Sequence, residues 1–174
     1  MSIDVEPIHA QAFFRVDRKW LFTEILVFDY LDKENFYYKI LEDEERYVDE
    51  MMRLSTVMNE FLEEEKIIIN NRRVEAKVTI VNLEFRGAPE LPTIIYIIEF
   101  SGELVNGLNV YECYYEGGVA EYDYEIYWIF PEDTEIVKVD ISGEHEILNH
   151  RILISSVRRG EKYKGYEKIV FKLE

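Results

Sequence analysis

The chain has 174 residues, of which 48% are hydrophobic, and its 36 acidic side chains outnumber its 20 Lys and Arg side chains, for a formal net charge of −16. This length fits one domain, residues 1–174, with enough apolar content for a core, whereas the charge argues against binding nucleic acid or an anionic membrane surface. The single cysteine, Cys113, excludes an intramolecular disulfide and suits a reducing cytoplasm.

The first part of the chain is predicted to form strands over 11–16, 20–30 and 36–41, and 20–30 is open to a helical alternative. The start, MSIDVEPIHAQAFFRV, has no basic stretch before an apolar run, so we expect no signal peptide. The most apolar segment, WLFTEILVFDYL, is too short to span a bilayer and is interrupted by Glu24 and Asp29. We therefore expect a cytoplasmic protein with no membrane-spanning segment.

A long amphipathic helix is predicted over about 43–65. Its apolar residues recur at spacings of three and four and form one stripe: Tyr47, Val48, Met51, Leu54, Met58, Phe61 and Leu62. Asp43 is the expected N-cap. Glu63, Glu64 and Glu65 lie at the negative end of the helix dipole, so the last turn is expected to fray.

The rest of the chain alternates in the manner of strands, predicted at 66–70, 73–86, 93–101, 108–116, 119–130, 135–141, 147–157 and 163–173. The segment 73–86 changes phase, because Val74 and Val78 share one face and Leu83 and Phe85 the other, which predicts a bulge near Ile80–Val81. TIIYIIEF, at 93–100, is apolar on both faces and is expected at the centre of a sheet.

These elements predict an α+β fold. One large curved antiparallel sheet would carry the long helix, about 43–65, packed on it. Helix-grip and TATA-binding-protein-like layouts are the nearest analogies, and a layout by itself implies no function.

The tyrosine-rich stretch YECYYEGGVAEYDYEIYWIFP, at 111–131, is predicted to form a hairpin that turns at Gly117–Gly118. A second turn at PEDT would follow. These registers predict six facing apolar pairs: Tyr115 with Ala120, Cys113 with Tyr122, Tyr111 with Tyr124, Trp128 with Val137, Ile126 with Val139, and Tyr124 with Ile141. The tyrosines at 111, 115, 122 and 124 would then point mostly to the core.

The opposite side of the same hairpin is predicted to be an acidic face, in which Glu112 faces Asp123 and Glu125 faces Asp140. Its five members are Glu112, Glu121, Asp123, Glu125 and Asp140. Facing like charges destabilise a sheet unless they are neutralised. The neutralising groups would come from the strand that carries Lys164, Lys168 and Lys172, or else from a basic protein partner.

Few residues point to catalysis. The chain has no glycine-rich phosphate loop, nucleophile elbow or dinucleotide fingerprint. His145 and His150 in HEILNH are one residue too far apart for a zinc-protease helix. Acidic neighbours would raise the pKa of the Cys113 thiol. We therefore predict that Cys113 is a small core residue and not a nucleophile. We expect no metal and no cofactor, and the chain is more easily explained as a non-enzyme.

A ligand cavity is the alternative use of the aromatic face. Met51 and Met58 lie on the predicted helix, and methionine lines surfaces that accept variable shapes. The candidate lining residues are Met51, Met58, Tyr111, Tyr122, Tyr124 and Trp128. They would enclose a small apolar ligand between the helix and the sheet.

Two functional hypotheses follow. The first is a non-catalytic interaction module that binds a basic protein partner through its acidic face, or self-associates through strand edges. The second is a carrier of a small apolar ligand. The abundance of Glu, Ile, Tyr, Lys and Arg with few Gln resembles proteins of hyperthermophilic archaea, among which uncharacterised single-domain proteins are common.

Overall fold

The computed structural model describes residues 5–17 and 19–174, and these form an α+β fold with mostly antiparallel strands, as predicted. The helices are α1, Phe36–Ile40, and α2, Glu44–Glu64. The strands are β1 Val5–Val16, β2 Leu21–Asp32, β3 Lys66–Ile69, β4 Arg72–Val74, β5 Lys77–Phe85, β6 Pro92–Ser101, β7 Gly107–Tyr114, β8 Gly118–Val119, β9 Asp123–Ile129, β10 Thr134–Asp140, β11 Glu144–Leu148, β12 Ile152–Val157, β13 Lys162–Tyr163 and β14 Tyr166–Leu173.

These strands divide between two sheets and a ribbon, and not into the one sheet that we predicted. The large sheet has the order β11-β12-β9-β1-β2-β6-β5, the small sheet has the order β10-β14-β7-β3-β4, and β8 pairs with β13. Within the large sheet β1 and β9 are parallel. The division has a physical cause: α2 packs against the β5–β6 end of the large sheet, and the apolar face beyond it needs a second layer.

The main core lies between the two sheets. Phe22 and Trp128 of the large sheet and Ile169 and Phe171 of the small sheet are at most 1% exposed. The rings of Phe14 and Trp128 stack at a centroid distance of 4.1 Å. Stacked aromatic pairs of this kind add about 0.5–1.5 kcal/mol to the stabilisation from burial alone.

Helix α2 covers the rest of the inner face. The predicted helix is confirmed, and the Asp43 side chain caps it by accepting a hydrogen bond from the backbone nitrogen of Arg46 at 3.2 Å. Its buried residues Leu54 and Leu62 pack into a second core with β5 and β6. The helix ends at Glu64, and Glu65 is already extended, so the chain passes directly into β3.

Segment 36–41 is a helix, α1, so the predicted strand there is wrong. The Asp32 carboxylate accepts a hydrogen bond from the backbone nitrogen of Tyr37 at 2.9 Å, and Asn35 takes a left-handed φ of 54°. These two local features turn the chain into a helical loop despite aromatic residues that favour strands. The uncertain segment 20–30 is a strand, β2.

Four of the predicted strands are interrupted, and in two of them, 119–130 and 163–173, the gap separates β8 from β9 and β13 from β14. Segment 73–86 forms β4 and β5, and the register shifts between Val78 and Ile80, close to the predicted bulge. Segment 147–157 covers the end of β11, a turn and all of β12. These two strands form a hairpin, which turns through left-handed Asn149 and His150. Strand β6 is interior, as its two apolar faces suggest, but it lies one strand from the edge and not at the centre.

The predicted hairpin at 111–131 does not form. Strand β7 lies in the small sheet between β14 and β3, whereas β9 lies in the large sheet between β1 and β12. Residues 115–122 carry the chain from one sheet to the other, and Gly118 begins the short strand β8 instead of a turn. All the facing pairs predicted from that register are therefore wrong, as are those between β9 and β10, which belong to different sheets.

Neither helix in the described part of the chain has the length and the apolar run that crossing a bilayer requires.

Candidate functional site

A cavity of about 430 Å³ lies where the end of α2 meets both sheets. Its walls come from β1, β2 and β9 of the large sheet, from β7 and β14 of the small sheet, and from the crossing segment 115–122. Residues 115–122, the crossing segment, run from the small sheet to the large sheet near the end of α2. They therefore form one side of the cavity.

Most of the lining is apolar or aromatic. From α2, Met58 and Leu62 contribute, and Leu26 and Phe28 contribute from β2. Five tyrosines complete the aromatic part: Tyr111, Tyr115, Tyr122, Tyr124 and Tyr163. Such a surface favours a ligand with an apolar body.

Three glutamates, here called the glutamate cluster, interrupt this lining: Glu24, Glu65 and Glu167. Strand alternation accounts for two of them, since Glu24 shares a face with Phe22, and Glu167 shares a face with Ile169. Glu65 enters the cavity because it follows the last turn of α2.

The partners of the glutamate cluster are few and uncharged. The Tyr115 hydroxyl donates a hydrogen bond to Glu167 Oε1 at 3.2 Å, and the Cys113 thiol is 3.9 Å from Glu65 Oε2. Within the described residues, the carboxyl group of Glu24 has no hydrogen bond and no ion pair. None of the described residues that line the cavity is Lys, Arg or His.

This environment shifts the titration of all three carboxyl groups. Burial, followed by repulsion from Glu65 and Glu167, raises the pKa of Glu24 to about 8. Burial raises the pKa of Glu65 to about 7, with repulsion from Glu167 adding to it. Burial also raises the pKa of Glu167 to about 7, against the opposing hydrogen bond from Tyr115. Near neutral pH the cluster is thus poised between its protonated and ionised forms.

The other titratable groups beside the cluster stay protonated. Burial, reinforced by Glu65, raises the pKa of the Cys113 thiol. Burial likewise raises the pKa of Tyr111. The pKa of Cys113 is raised, as predicted. The acids that contribute to this shift are Glu65, Glu167 and Glu24, and not the sequence neighbours of Cys113.

The structure brings together four of the six residues predicted to line a ligand cavity: Met58, Tyr111, Tyr122 and Tyr124. The other two lie elsewhere. Met51 packs between α2 and the large sheet, and Trp128 is in the core between the sheets.

The sequence reasoning missed the glutamate cluster. A signal was present for two of its members, because Glu24 and Glu167 interrupt apolar strand faces in phase with their buried neighbours. The position of Glu65 depends on where α2 ends.

The predicted acidic face is divided between the sheets. Glu112 and Asp140 are in the small sheet, and Asp123 and Glu125 are in the large sheet. Glu121 is exposed in the crossing segment and lines the cavity. Glu112 does not face Asp123, and Glu125 does not face Asp140, because their strands do not pair.

Four of these five acids have partners in the same chain. Lys168 Nζ is 3.3 Å from Glu112, and Lys164 pairs with Asp140. These are two of the lysines that the sequence suggested as neutralising groups.

The two acids of the large sheet are paired differently. The backbone nitrogen of Arg159 donates to Asp123 at 2.8 Å, and this bond lowers the pKa of Asp123. Glu125 lies 2.8 Å from His9 Nε2 and accepts a hydrogen bond from Gln11 at 3.2 Å.

No group of three or more His, Cys, Asp or Glu side chains with a geometry able to hold a metal ion occurs among residues 5–17 and 19–174.

No family model matches this chain, and no curated protein matches it. Among solved structures, the chain is similar to the crystal structure of "a putative protease" from Parabacteroides distasonis ATCC 8503, at 7% sequence identity and a TM-score of 0.33. The match covers 97% of this chain and 40% of that protein, so the chain spans less than half the length of the structure that it matches.

Proposed function

We propose that this protein is a non-catalytic carrier or sensor of a small molecule, which it binds in the cavity between α2 and the two sheets. The observation that carries the proposal is the cavity itself. Its volume of about 430 Å³ lies within the range of about 300–1,000 Å³ that is usual for ligand pockets. Its composition also fits, since an apolar and aromatic wall surrounds a few polar groups.

The position of the cavity supports the same proposal. Met58 and Leu62 form its helical wall close to the end of α2, where the chain leaves the helix. Methionine adapts its shape to different ligands. The helix-grip and TATA-binding-protein-like layouts remain predictions, and a cavity between a helix and a sheet agrees with the first of them.

The interaction module, the first hypothesis from the sequence, becomes the second candidate, and its support is the net charge of −16. A basic protein partner, self-association through strand edges, and the absence of catalysis, metal and cofactor also remain predictions. The pairing of Glu112, Asp123, Glu125 and Asp140 within the chain leaves less free charge for a partner. The carrier is therefore the function that the geometry supports best.

The test measures occupation of the cavity in two ways. Native mass spectrometry of freshly purified protein should detect a bound molecule, and the neutral dye N-phenyl-1-naphthylamine should become fluorescent on binding. Replacing small lining residues, as in Ala10→Leu and separately Ala120→Leu, should fill the cavity and weaken dye binding by about tenfold or more, which corresponds to about 1.4 kcal/mol.

The matched control is Ala88→Leu, which adds the same side chain in the loop before β6 and outside the cavity lining. It should bind the dye as the wild type does. Dye affinity that stays at the wild-type value in both filled variants, or a wild type that binds no dye and carries no ligand, would contradict the proposal.

A further inference from the structure

We propose that the ligand of this cavity is an organic cation, a small amine with an apolar body, whose ammonium group lies among Glu24, Glu65 and Glu167. This inference rests on the proposed function and adds the chemical class of the ligand. Three observations support it. The glutamate cluster has no positive partner among the described residues, several acids elsewhere in the described chain do have one, and the lining is aromatic and apolar.

The missing counter-charge is the first step. Glu167 is only 8% exposed, and its one side-chain partner among the described residues is the neutral hydroxyl of Tyr115. The carboxyl group of Glu24 has no hydrogen bond or ion pair within the described part of the chain. Buried carboxylates without a positive partner are strongly unfavourable, and mutual repulsion adds to that cost.

The second step is that several acids elsewhere in the described chain have basic partners. The ion pairs Lys168–Glu112, Lys164–Asp140 and Arg158–Asp123 show basic side chains placed against acids on both sheets. The cavity also has Glu121 and Glu125 in its lining. Glu125 lies against His9, which is outside the lining, whereas the described lining itself has no basic residue beside Glu24, Glu65, Glu121 or Glu167. A cationic ligand would supply the positive charge that is missing at this place.

The third step is the fit of a cation with an apolar body. The tyrosine rings in the lining can contact an alkylated or aromatic ammonium through their faces, which attract cations. Leu26, Phe28 and Met58 can cover the apolar part of the same molecule. An inorganic ion fits less well, because no described group of acids has metal-binding geometry.

The net charge of −16 adds a long-range effect. A negative protein attracts cations and repels anions during encounter, and a cleft lined with acids concentrates that field. An anionic ligand would meet both this field and the glutamate cluster.

The protonation state of the cluster gives the inference a pH signature. The titratable groups in the lining come from most of its walls: Glu24 on β2, Glu65 after α2, Tyr111 and Cys113 on β7, Tyr115, Glu121 and Tyr122 in the crossing segment, Tyr124 and Glu125 on β9, Tyr163 on β13 and Glu167 on β14. All of these are acids, and the base beside them is His9 on β1, which contacts Glu125. Because the pKa values of the three glutamates lie at about 7 to 8, the affinity for an ammonium should rise from pH 6 to pH 8.5 as they ionise.

The experiment compares three probes that share one apolar body: 4-phenylbutylamine, 4-phenylbutanol and 4-phenylbutyrate. Calorimetric titration at pH 7.5 should rank the amine first, the alcohol second and the carboxylate last. The amine should bind about tenfold or more tightly than the alcohol, the ratio that about 1.4 kcal/mol produces. The affinity for the alcohol should not rise with pH.

The variants Glu24→Gln and Glu167→Gln keep the side-chain shape and remove the charge. They should lose about tenfold in affinity for the amine and keep the wild-type affinity for the alcohol. Both relieve repulsion between acids, so both are expected to fold. The control is Glu60→Gln, at an exposed position on α2 outside the cavity lining, and it should leave all three affinities unchanged.

The outcomes separate this inference from the proposed function. If the alcohol or the carboxylate binds as tightly as the amine, or if both glutamine variants retain the preference for the amine, the ligand is not a cation and the carrier proposal stands. If none of the three probes binds and N-phenyl-1-naphthylamine does not bind either, the carrier proposal fails, and this inference fails with it.

Discussion

Tyr115 and Glu167 are 52 positions apart in the chain, and the Tyr115 hydroxyl donates a 3.2 Å hydrogen bond to the Glu167 carboxyl group. Tyr115 lies where the chain leaves the small sheet, and Glu167 lies on β14 within that sheet. The bond lowers the pKa of Glu167 against the larger effect of burial. The same hydrogen bond joins the crossing segment to Glu167, which is only 8% exposed.

Removal of this donor should destabilise the protein most when Glu167 is ionised. Tyr115→Phe should cost about 1–2 kcal/mol of unfolding free energy at pH 8.5, because a buried carboxylate loses the one side-chain hydrogen bond that it accepts from the described residues. Urea unfolding at pH 5 and pH 8.5 measures the difference, which should be smaller at pH 5. Tyr163→Phe is the matched control, since Tyr163 lines the same cavity and its hydroxyl has no hydrogen bond to any described residue. Equal losses in the two variants would contradict this role for Tyr115.

The stability of the ligand-free protein should fall as the pH rises from 5 to 8.5. The three glutamates have folded-state pKa values of about 7 to 8, above the usual glutamate value of 4.5, so the folded state holds more protons than the unfolded state in this window. Their contribution to stability is full below about pH 4.5 and is lost as the pH rises through those values. Three carboxylates with a lowered pKa act in the opposite sense, and only near or below the usual aspartate value of 3.8: Asp29, Asp123 and Asp140.

Glu24→Gln should flatten this pH dependence. A shift of one pKa unit corresponds to about 1.4 kcal/mol. The variant should therefore gain roughly 2–4 kcal/mol over the wild type at pH 8.5, relative to the difference at pH 5, after allowance for coupling within the cluster. Chemical unfolding across this pH range measures it. Glu60→Gln should keep the wild-type slope, and a wild type whose stability is constant from pH 5 to 8.5 would contradict the prediction.

Cys113 should be unreactive in the folded protein. The side chain is 4% exposed, and burial with the acids of the cavity raises the pKa of its thiol. Because the thiolate is the reactive form, alkylation by iodoacetamide at pH 8 should be slower in buffer than in denaturing urea by about 100-fold or more. The chain has one cysteine, so the mass increase reports this site alone. Comparable alkylation rates in the two conditions would show that the thiol of the folded protein is solvent-accessible and ionised.

Gly165 should not tolerate a side chain. It has a φ of 67°, and a Cβ there would collide with the carbonyl oxygen of Tyr115 and lie 2.6 Å from the backbone nitrogen of Gly117. Gly165→Ala should therefore cost about 3 kcal/mol or more, since both neighbours are backbone atoms of the crossing segment. Urea unfolding provides the measurement.

Gly160 provides the matched control for that substitution. Its φ is 88°, and an added Cβ would have no atom within 4 Å. Gly160→Ala should then cost only the backbone strain of about 1–2 kcal/mol. Equal losses at the two positions would show that the close approach to the crossing segment does not matter.

The sequence by itself was sufficient for features that depend on local periodicity. The apolar stripe from Tyr47 to Leu62 and the N-cap at Asp43 predicted α2 almost to its ends. The phase change in 73–86 predicted an irregularity that occurs between Val78 and Ile80. Those features are visible in the sequence because their hydrogen bonds join residues close together in the chain, or because one face of a strand must be buried.

The partner of each strand was decided only by the tertiary structure. Two alternating runs joined by Gly117–Gly118 can form a hairpin or belong to different sheets, and local pattern is the same in both cases. The apolar face of the large sheet extends beyond the part that α2 covers, and this separates β7 from β9. The pairing of Lys168 with Glu112, and not Asp123 with Glu112, follows from that separation.

The candidate site shows the same division between sequence and structure. Alternation predicted that the tyrosines at 111, 122 and 124 point inward, and the same alternation, which we did not apply to the acids, puts Glu24 and Glu167 on apolar strand faces. Only the packing of two sheets against the end of one helix brings these side chains together with Glu65 around a common space. Local patterns determine which way a side chain points, but the burial of apolar surface over the whole chain determines what it points at.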